Sequence, residues 1–230
     1  MSGRPSSRLL AQMVGPVLLG LAAHHARAAD WPDVPVPEQA SGEIVSDHMI
    51  YNGISMRASR FTVPAPPSQV EQFYRKEWGK GVVATPVGNK TVLGHMEAGG
   101  YYVTVELSGD ATSTRGQIGV MQLPKNDLPA DGVGKGFGRL PDTQVAEDIV
   151  YMDTPRHVRT LSMLNRYTPL QNQQYYTRYF AAQGYVRDSS SSACAATSPH
   201  CIGRFIRQEE RVTVTSSRGK TGTVVVAVVE

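Results

Sequence analysis

What most constrains this chain is an internal repeat: short stretches of its first half recur in its second half, in the same order. Met49-Ile50-Tyr51 is matched by Ile149-Val150-Tyr151, and Gln72-Phe73-Tyr74-Arg75-Lys76-Glu77-Trp78 by Gln174-Tyr175-Tyr176-Thr177-Arg178-Tyr179-Phe180. Further on, Leu93-Gly94-His95-Met96 is matched by Ile202-Gly203-Arg204-Phe205, and Val103-Thr104-Val105 by Val212-Thr213-Val214. The offset widens between the second and third matches, in the interval that holds Cys194 and Cys201, as expected of an insertion confined to a loop. A length of 230 residues accommodates two small domains. The expected fold is therefore α+β: two tandem copies of a small module, each with one helix packed on an antiparallel sheet of about four to five strands. The divisions are a signal peptide at 1–28, an extended Pro-rich segment at 29–42, module 1 at 43–124, a Gly/Pro linker at 125–142 and module 2 at 143–230.

Each copy carries one helix pattern. In the first, Ser68 and Glu71 form a capping box after Pro66-Pro67, and Val70, Phe73, Tyr74 and Trp78 share one face at helical spacing before Gly79. In the second, Thr168 is the cap, Pro169 takes the first position and Gln171 completes the box. Tyr175, Tyr176 and Phe180 form the matching face, and Gly184 follows. The other segments alternate as half-buried strands, giving a unit of strand, helix and four strands. Val103 and Val105 point inward with Val212 and Val214, and Ile118 and Val120 correspond to Val224 and Val226. The β-branched run Thr223 to Val229 reads as an interior strand. Gly94 and Gly203 sit at corresponding points, where the bulky helix face around Phe73 or Tyr175 is expected to need their space. The Pro-rich start and the Gly132–Gly138 stretch lack apolar periodicity and read as extended or linking chain.

The first residues read as a secretory signal: Arg4 and Arg8, an apolar stretch from Met13 to Ala23, and Ala26-Arg27-Ala28 as an exit, with cleavage after Ala28 or Ala29. A mitochondrial presequence is the competing reading, which the compact apolar stretch and small-residue exit disfavour. No cysteine near the exit offers a lipid attachment site, and no Arg-Arg pair is present. The apolar stretch is too short to span a bilayer, and no later stretch approaches the required length. The formal charge of +3 comes from Arg4, Arg8 and Arg27, so the mature chain is balanced and carries no electrostatic footprint for nucleic acid. In an oxidising compartment Cys194 and Cys201 are expected to form a disulfide. The alternative, a metal site of Cys194, His200 and Cys201, has adjacent ligands that point apart and no fourth donor.

Candidate chemistry is sparse. The stretch Gly132-Val133-Gly134-Lys135-Gly136 lacks the Ser or Thr that a phosphate loop places after its lysine. His48, His95, His157 and His200 show no two-histidine metal spacing, and His95 reads as an outward strand residue. Ser189 to Ser192 lie in a polar loop without a nucleophile motif. Glu71 and Glu77 read as helix cap and solvent-facing residue, and Glu209 and Glu210 as a hairpin turn. No catalytic residue, metal or cofactor is expected. Arg57 and Arg159 occupy matching positions and could clasp an acidic partner, or simply pack their stems on the sheet with wet heads. Tyr102, Tyr179 and Tyr185 lie off the expected core faces and, with the two arginines, form the expected contact surface. The function expected is a non-catalytic periplasmic or secreted protein that binds another envelope or secreted protein through its tandem modules. One alternative is a carrier of a small or apolar ligand between the modules. The other is a hydrolase whose acid and base meet only in the fold.

Overall fold

Asn52 and Gly53 decide how the first strands are arranged. Both take positive φ, 48° and 84°, the backbone of a tight two-residue hairpin turn. Residues 41–63 therefore form a hairpin, β1 (Ser41–Tyr51) and β2 (Ile54–Val63), where the sequence pattern suggests one strand. The computed structural model describes residues 31–126, 128 and 132–230. The expected signal peptide at 1–28 and its cleavage point lie outside the described residues.

After the hairpin come α1 (Pro67–Trp78), β3 (Val83–Val87), β4 (Lys90–Glu97), β5 (Tyr101–Gly109) and β6 (Thr114–Gln122). The second half follows with β7 (Gln144–Tyr151), β8 (Val158–Asn165), α2 (Pro169–Ala182), β9 (Val186–Arg187), β10 (His200–Arg207), β11 (Glu210–Arg218) and β12 (Thr223–Val229). The strands pair into one antiparallel sheet in the order β3-β4-β5-β6-β2-β1-β7-β8-β12-β11-β10-β9. The expected four to five strands per module are thus six on each side of a seam, within a single sheet. The additional strand is the second arm of the hairpin.

The seam joins Met49, Ile50 and Tyr51 to Tyr151, Val150 and Ile149, the first residues matched in the repeat. Three ladder pairs are extended at both ends by other bonds. Asn52 donates its amide to the Asp148 carbonyl and accepts from the Asp148 amide through its side chain, at 2.8 Å each. At the far end Met152 N–H donates to the His48 carbonyl, and the Asp153 carboxylate accepts from Ser46 Oγ (3.0 Å) and the Asp47 amide (2.7 Å). The Asp153 bonds outweigh partial burial and hold its carboxyl below the usual range.

Register places both helices on the same face. Phe61 and Val63 face α1, and alternation along β2 puts Ser55 on that side. Ser55 pairs with Ile50, Ile50 with Val150 and Val150 with Arg159, which shares its face with Leu161 and Met163 beneath α2. Each helix covers its own core. Tyr74 shares one buried core with Leu93, Val103 and Val105, and Tyr176 a second with Leu161, Val212 and Val225. Phe73 meets Tyr74 edge-on at 5.1 Å and Tyr175 meets Tyr176 edge-on at 5.0 Å. Trp78 stacks on His95 at 4.9 Å, and Phe180 packs on Phe205 at 4.8 Å. Thr114 and Thr223 are both buried, and each donates its hydroxyl to a carbonyl just before a helix, of Ala65 and Tyr167 respectively.

Several sequence expectations are corrected. The capping box of α2 forms as read, with Thr168 and Gln171 bonding each other's amides. That of α1 does not: the helix begins at Pro67 behind Pro66, no side chain caps it, and Glu71 instead accepts from Arg75 at 2.7 Å. His95 faces the helix rather than outward. Gly94 and Gly203 are not equivalent. Val103 pairs with His95 and Val212 with Phe205, so the matching of β4 with β10 was slipped by one residue, which flips every side chain. A Cβ on Gly94 would lie 2.3 Å from Tyr102 Oη, and one on Gly203 2.9 Å from the Phe205 ring, so neither glycine makes room for Phe73 or Tyr175. The match of β6 with β12 is out by three residues, since Ile118 pairs with Val105 and Ala227 with Val214; the odd shift again exchanges faces, so Val225 and Ala227, not Val224 and Val226, share the core with Val212 and Val214. β12 is interior, between β8 and β11. Finally, the expected linking stretches bring aromatics to the cores. Phe137 is 9% exposed among Tyr176, Tyr179 and Phe180, and Trp31 packs on the first core edge-on to Tyr101.

Candidate functional site

The five residues expected to form a contact surface do not assemble into one. Arg57 and Arg159 lie on the helix-bearing side of the sheet, and each already meets a carboxylate of its own chain. Arg159 donates Nε to Asp148 Oδ1 at 2.8 Å and a terminal nitrogen to Oδ2 at 2.7 Å. The same carboxylate accepts the Gly134 amide at 2.7 Å, and Arg159 donates to the Lys135 carbonyl at 3.0 Å. Burial pushes the Asp148 carboxyl up, but the bonds from Arg159 and Gly134 and the guanidinium charge push it further down, below the usual carboxylate range. Arg57 lies 3.1 Å from Asp47 Oδ1, a looser and more exposed pair.

The glycine-rich stretch is therefore neither a phosphate cradle nor a free tether. It is a strap fixed at Asp148 and again where Tyr179 accepts the Gly138 amide at 3.0 Å. Gly138 runs under the Tyr179 ring so closely that a Cβ would sit 2.2 Å from it. Tyr179 and Tyr185 thus pack on the second core instead of standing clear of it. Tyr185 also donates to Glu210 at 2.7 Å and lies under the Arg207 guanidinium at 4.5 Å. Only Tyr102 stands on the opposite face. Glu209 and Glu210 sit at the β10–β11 turn as read, paired with Arg156 and Arg207.

The disulfide between Cys194 and Cys201 is formed, with Cα atoms 5.5 Å apart, so their sulfurs serve each other and not a metal. Among the described residues, no three His, Cys, Asp or Glu side chains gather closely enough to hold a metal ion.

The feature that sequence reasoning missed is the helix-free face. Antiparallel sheets with one open face usually present polar residues there, but this one carries an uncharged row across seven strands. Through register partners Met96 is followed by Tyr102, Met121, Met56, Met49, Tyr151 and Val158. Four of the six methionines beyond residue 30 lie in that row. Val83, Val87, Met96 and Val224 are exposed on this face. Beside the row lies a groove of about 500 Å³, lined by Tyr51, Met56, Thr104 and Met121 together with the charged Arg60 and Glu106. Tyr51 donates to Glu147 at 3.3 Å across the seam, and burial together with that carboxylate pushes its phenol up. The signal was present in the alternation: Tyr102, Met121 and Met56 occupy the positions between core residues. Their alignment across strands depends on pairings that no local pattern encodes.

Comparison with known proteins returned no match: no family model, no curated protein and no solved structure aligns significantly with this chain.

Proposed function

We propose that this chain is an exported, non-catalytic binding protein, built from two diverged copies of one module, whose helix-free face docks another envelope or secreted protein. The observation that carries the reading is the uncharged row of methionine, tyrosine and valine on the face opposite both helices. Contiguous apolar surface with exposed valines and methionine marks an interaction site, and flexible thioethers suit a surface that adapts to its partner. The duplication is supported by the same path of strands on either side of the seam, by the Thr114 and Thr223 clamps, and by the edge-on pairs of Phe73 with Tyr74 and Tyr175 with Tyr176. Export is supported by the leader pattern and the disulfide. No helix among the described residues is long and apolar enough to cross a membrane. A carrier would use a cleft lined by both halves, whereas the groove beside the row draws on the first half alone.

The test is site-specific photocrosslinking in the intact envelope, with the photoreactive residue at Thr104 on the open face or at Glu77 on α1. The expected result is one discrete protein adduct from position 104, lost when Met121→Glu is added, and none from position 77. Adducts from position 77 alone, or an adduct from 104 that is indifferent to Met121→Glu, would overturn the proposal.

A further inference from the structure

The centre of the row is a set of soft donors at neighbouring positions. Met121, Met56 and Met49 are register partners on three adjacent strands, β6, β2 and β1. Directly paired residues have Cβ atoms about 5 Å apart, and an unbranched thioether spans the gap from either side. Met56 leans over β6: its terminal methyl occupies the space beside Gly119, where a Cβ would lie 2.6 Å away. Met49 is 5% exposed, while Met56 and Met121 are half-buried, so the row is partly shielded from water at these three positions. Tyr102 and Tyr151 flank the three in the row, adding aromatic faces that favour a cation.

We propose that Met49, Met56 and Met121 form a three-thioether site for a soft monovalent cation, copper(I). Thioethers select copper(I) over harder ions, and a neutral donor set suits a single positive charge, whereas divalent magnesium or calcium requires carboxylate or carbonyl oxygens. Both cysteines are locked in the disulfide, so these sulfurs face no competition from thiolate in the same chain. The site stands independently of protein docking, because it is read on the isolated chain.

The experiment is titration of the oxidised mature chain with silver(I), a redox-inert probe, followed by methionine methyl NMR and by competition against a chromophoric copper(I) chelator under anaerobic conditions. The expected result is one equivalent bound, with shifts of the Met49, Met56 and Met121 methyls and none at Met152 or Met163. Met56→Leu preserves volume and should weaken binding more than about tenfold, as loss of a supporting group commonly does at metal sites. Met96→Leu should leave binding unchanged. If Met56→Leu is poorly folded, Met121→Leu serves the same purpose. Absence of binding, shifts spread over all methionines, or wild-type affinity in the leucine variants would overturn the site.

Discussion

The two halves of the sheet share a strand path but are held together differently, and the difference lies in their polar atoms. At the end of β8, Asn165 and Asn172 bond each other reciprocally at 2.9 and 3.1 Å, buried between strand and helix. The corresponding pair in the first half, by the helix match, is Val63 with Val70, equally buried and wholly apolar. Arg159 is fixed by two bonds to Asp148, but Arg57 Nε is buried without a hydrogen-bond partner, near Asp47 yet not aligned with it. The Tyr176 hydroxyl reaches Met163 Sδ at 3.9 Å, while that of Tyr74 has no partner. Burial pushes both phenols up. Among the described residues, the buried side-chain polar atoms lacking a partner, Trp31 Nε1, Arg57 Nε and Tyr74 Oη, all belong to the first half. An unmade buried bond costs about 1–3 kcal/mol. The first half is therefore the more weakly held, and it contributes five of the seven strands of the apolar row.

The largest expected effect separates the two arginine clamps. Asp148→Ala leaves Arg159 without its buried partner and releases the Gly134 strap, a loss of about 3–5 kcal/mol in urea unfolding. Asp47→Ala, at a more exposed pair, should cost less than about 1 kcal/mol. The same clamp sets an acid limit. The Asp148 and Asp153 carboxyls are held below their ordinary 3.8, so their contribution is complete above that value and is lost as pH falls through their lower folded values. Stability should therefore decline as pH falls below about 4, and Asp148→Asn should flatten that decline.

Next comes the asparagine pair. Asn172→Val removes the reciprocal partner of Asn165, leaving it only Thr143 and the Tyr167 amide, and should cost about 2–3 kcal/mol, whereas adding Asn165→Val recreates the apolar pairing of the first half and should restore part of the loss. A double variant no better than the single would show that the halves are not interchangeable here. A smaller contrast lies at the helix starts: Thr168→Ala should cost about 1 kcal/mol, and Ser68→Ala close to nothing, by thermal unfolding. Smallest is Tyr74→Phe, which removes an unpartnered hydroxyl and should be neutral or raise stability by a few tenths of a kcal/mol, while Tyr176→Phe loses a weak bond to sulfur.

These contrasts also explain how far the sequence could be read. The helices, the Thr168 cap and the apolar inner set of β5 and β11 were legible because helical spacing and alternation are local. The hairpin at Asn52-Gly53 carries a strong turn signal as well, Asn-Gly between apolar runs, although the repeat pattern reads there as one strand. The slip at Gly203 and Val224 has a different origin. Where both faces of a strand are apolar, as from Val224 to Val229, alternation cannot tell inner from outer, and a one-residue error exchanges them. The seam, the straps that carry Trp31 and Phe137, and the methionine row all join residues far apart in the chain. Such pairings follow from long-range register and leave no local trace.

The sheet is single, but its two halves are unequally secured. Native-state hydrogen exchange in low denaturant tests this most directly, by comparing the Val103 and Val105 amides of β5 with the Val212 and Val214 amides of β11. β5 is expected to open at lower denaturant, with the seam amides of Met49 and Tyr51 opening alongside it. Simultaneous opening of both strands, or earlier opening of β11, would contradict it.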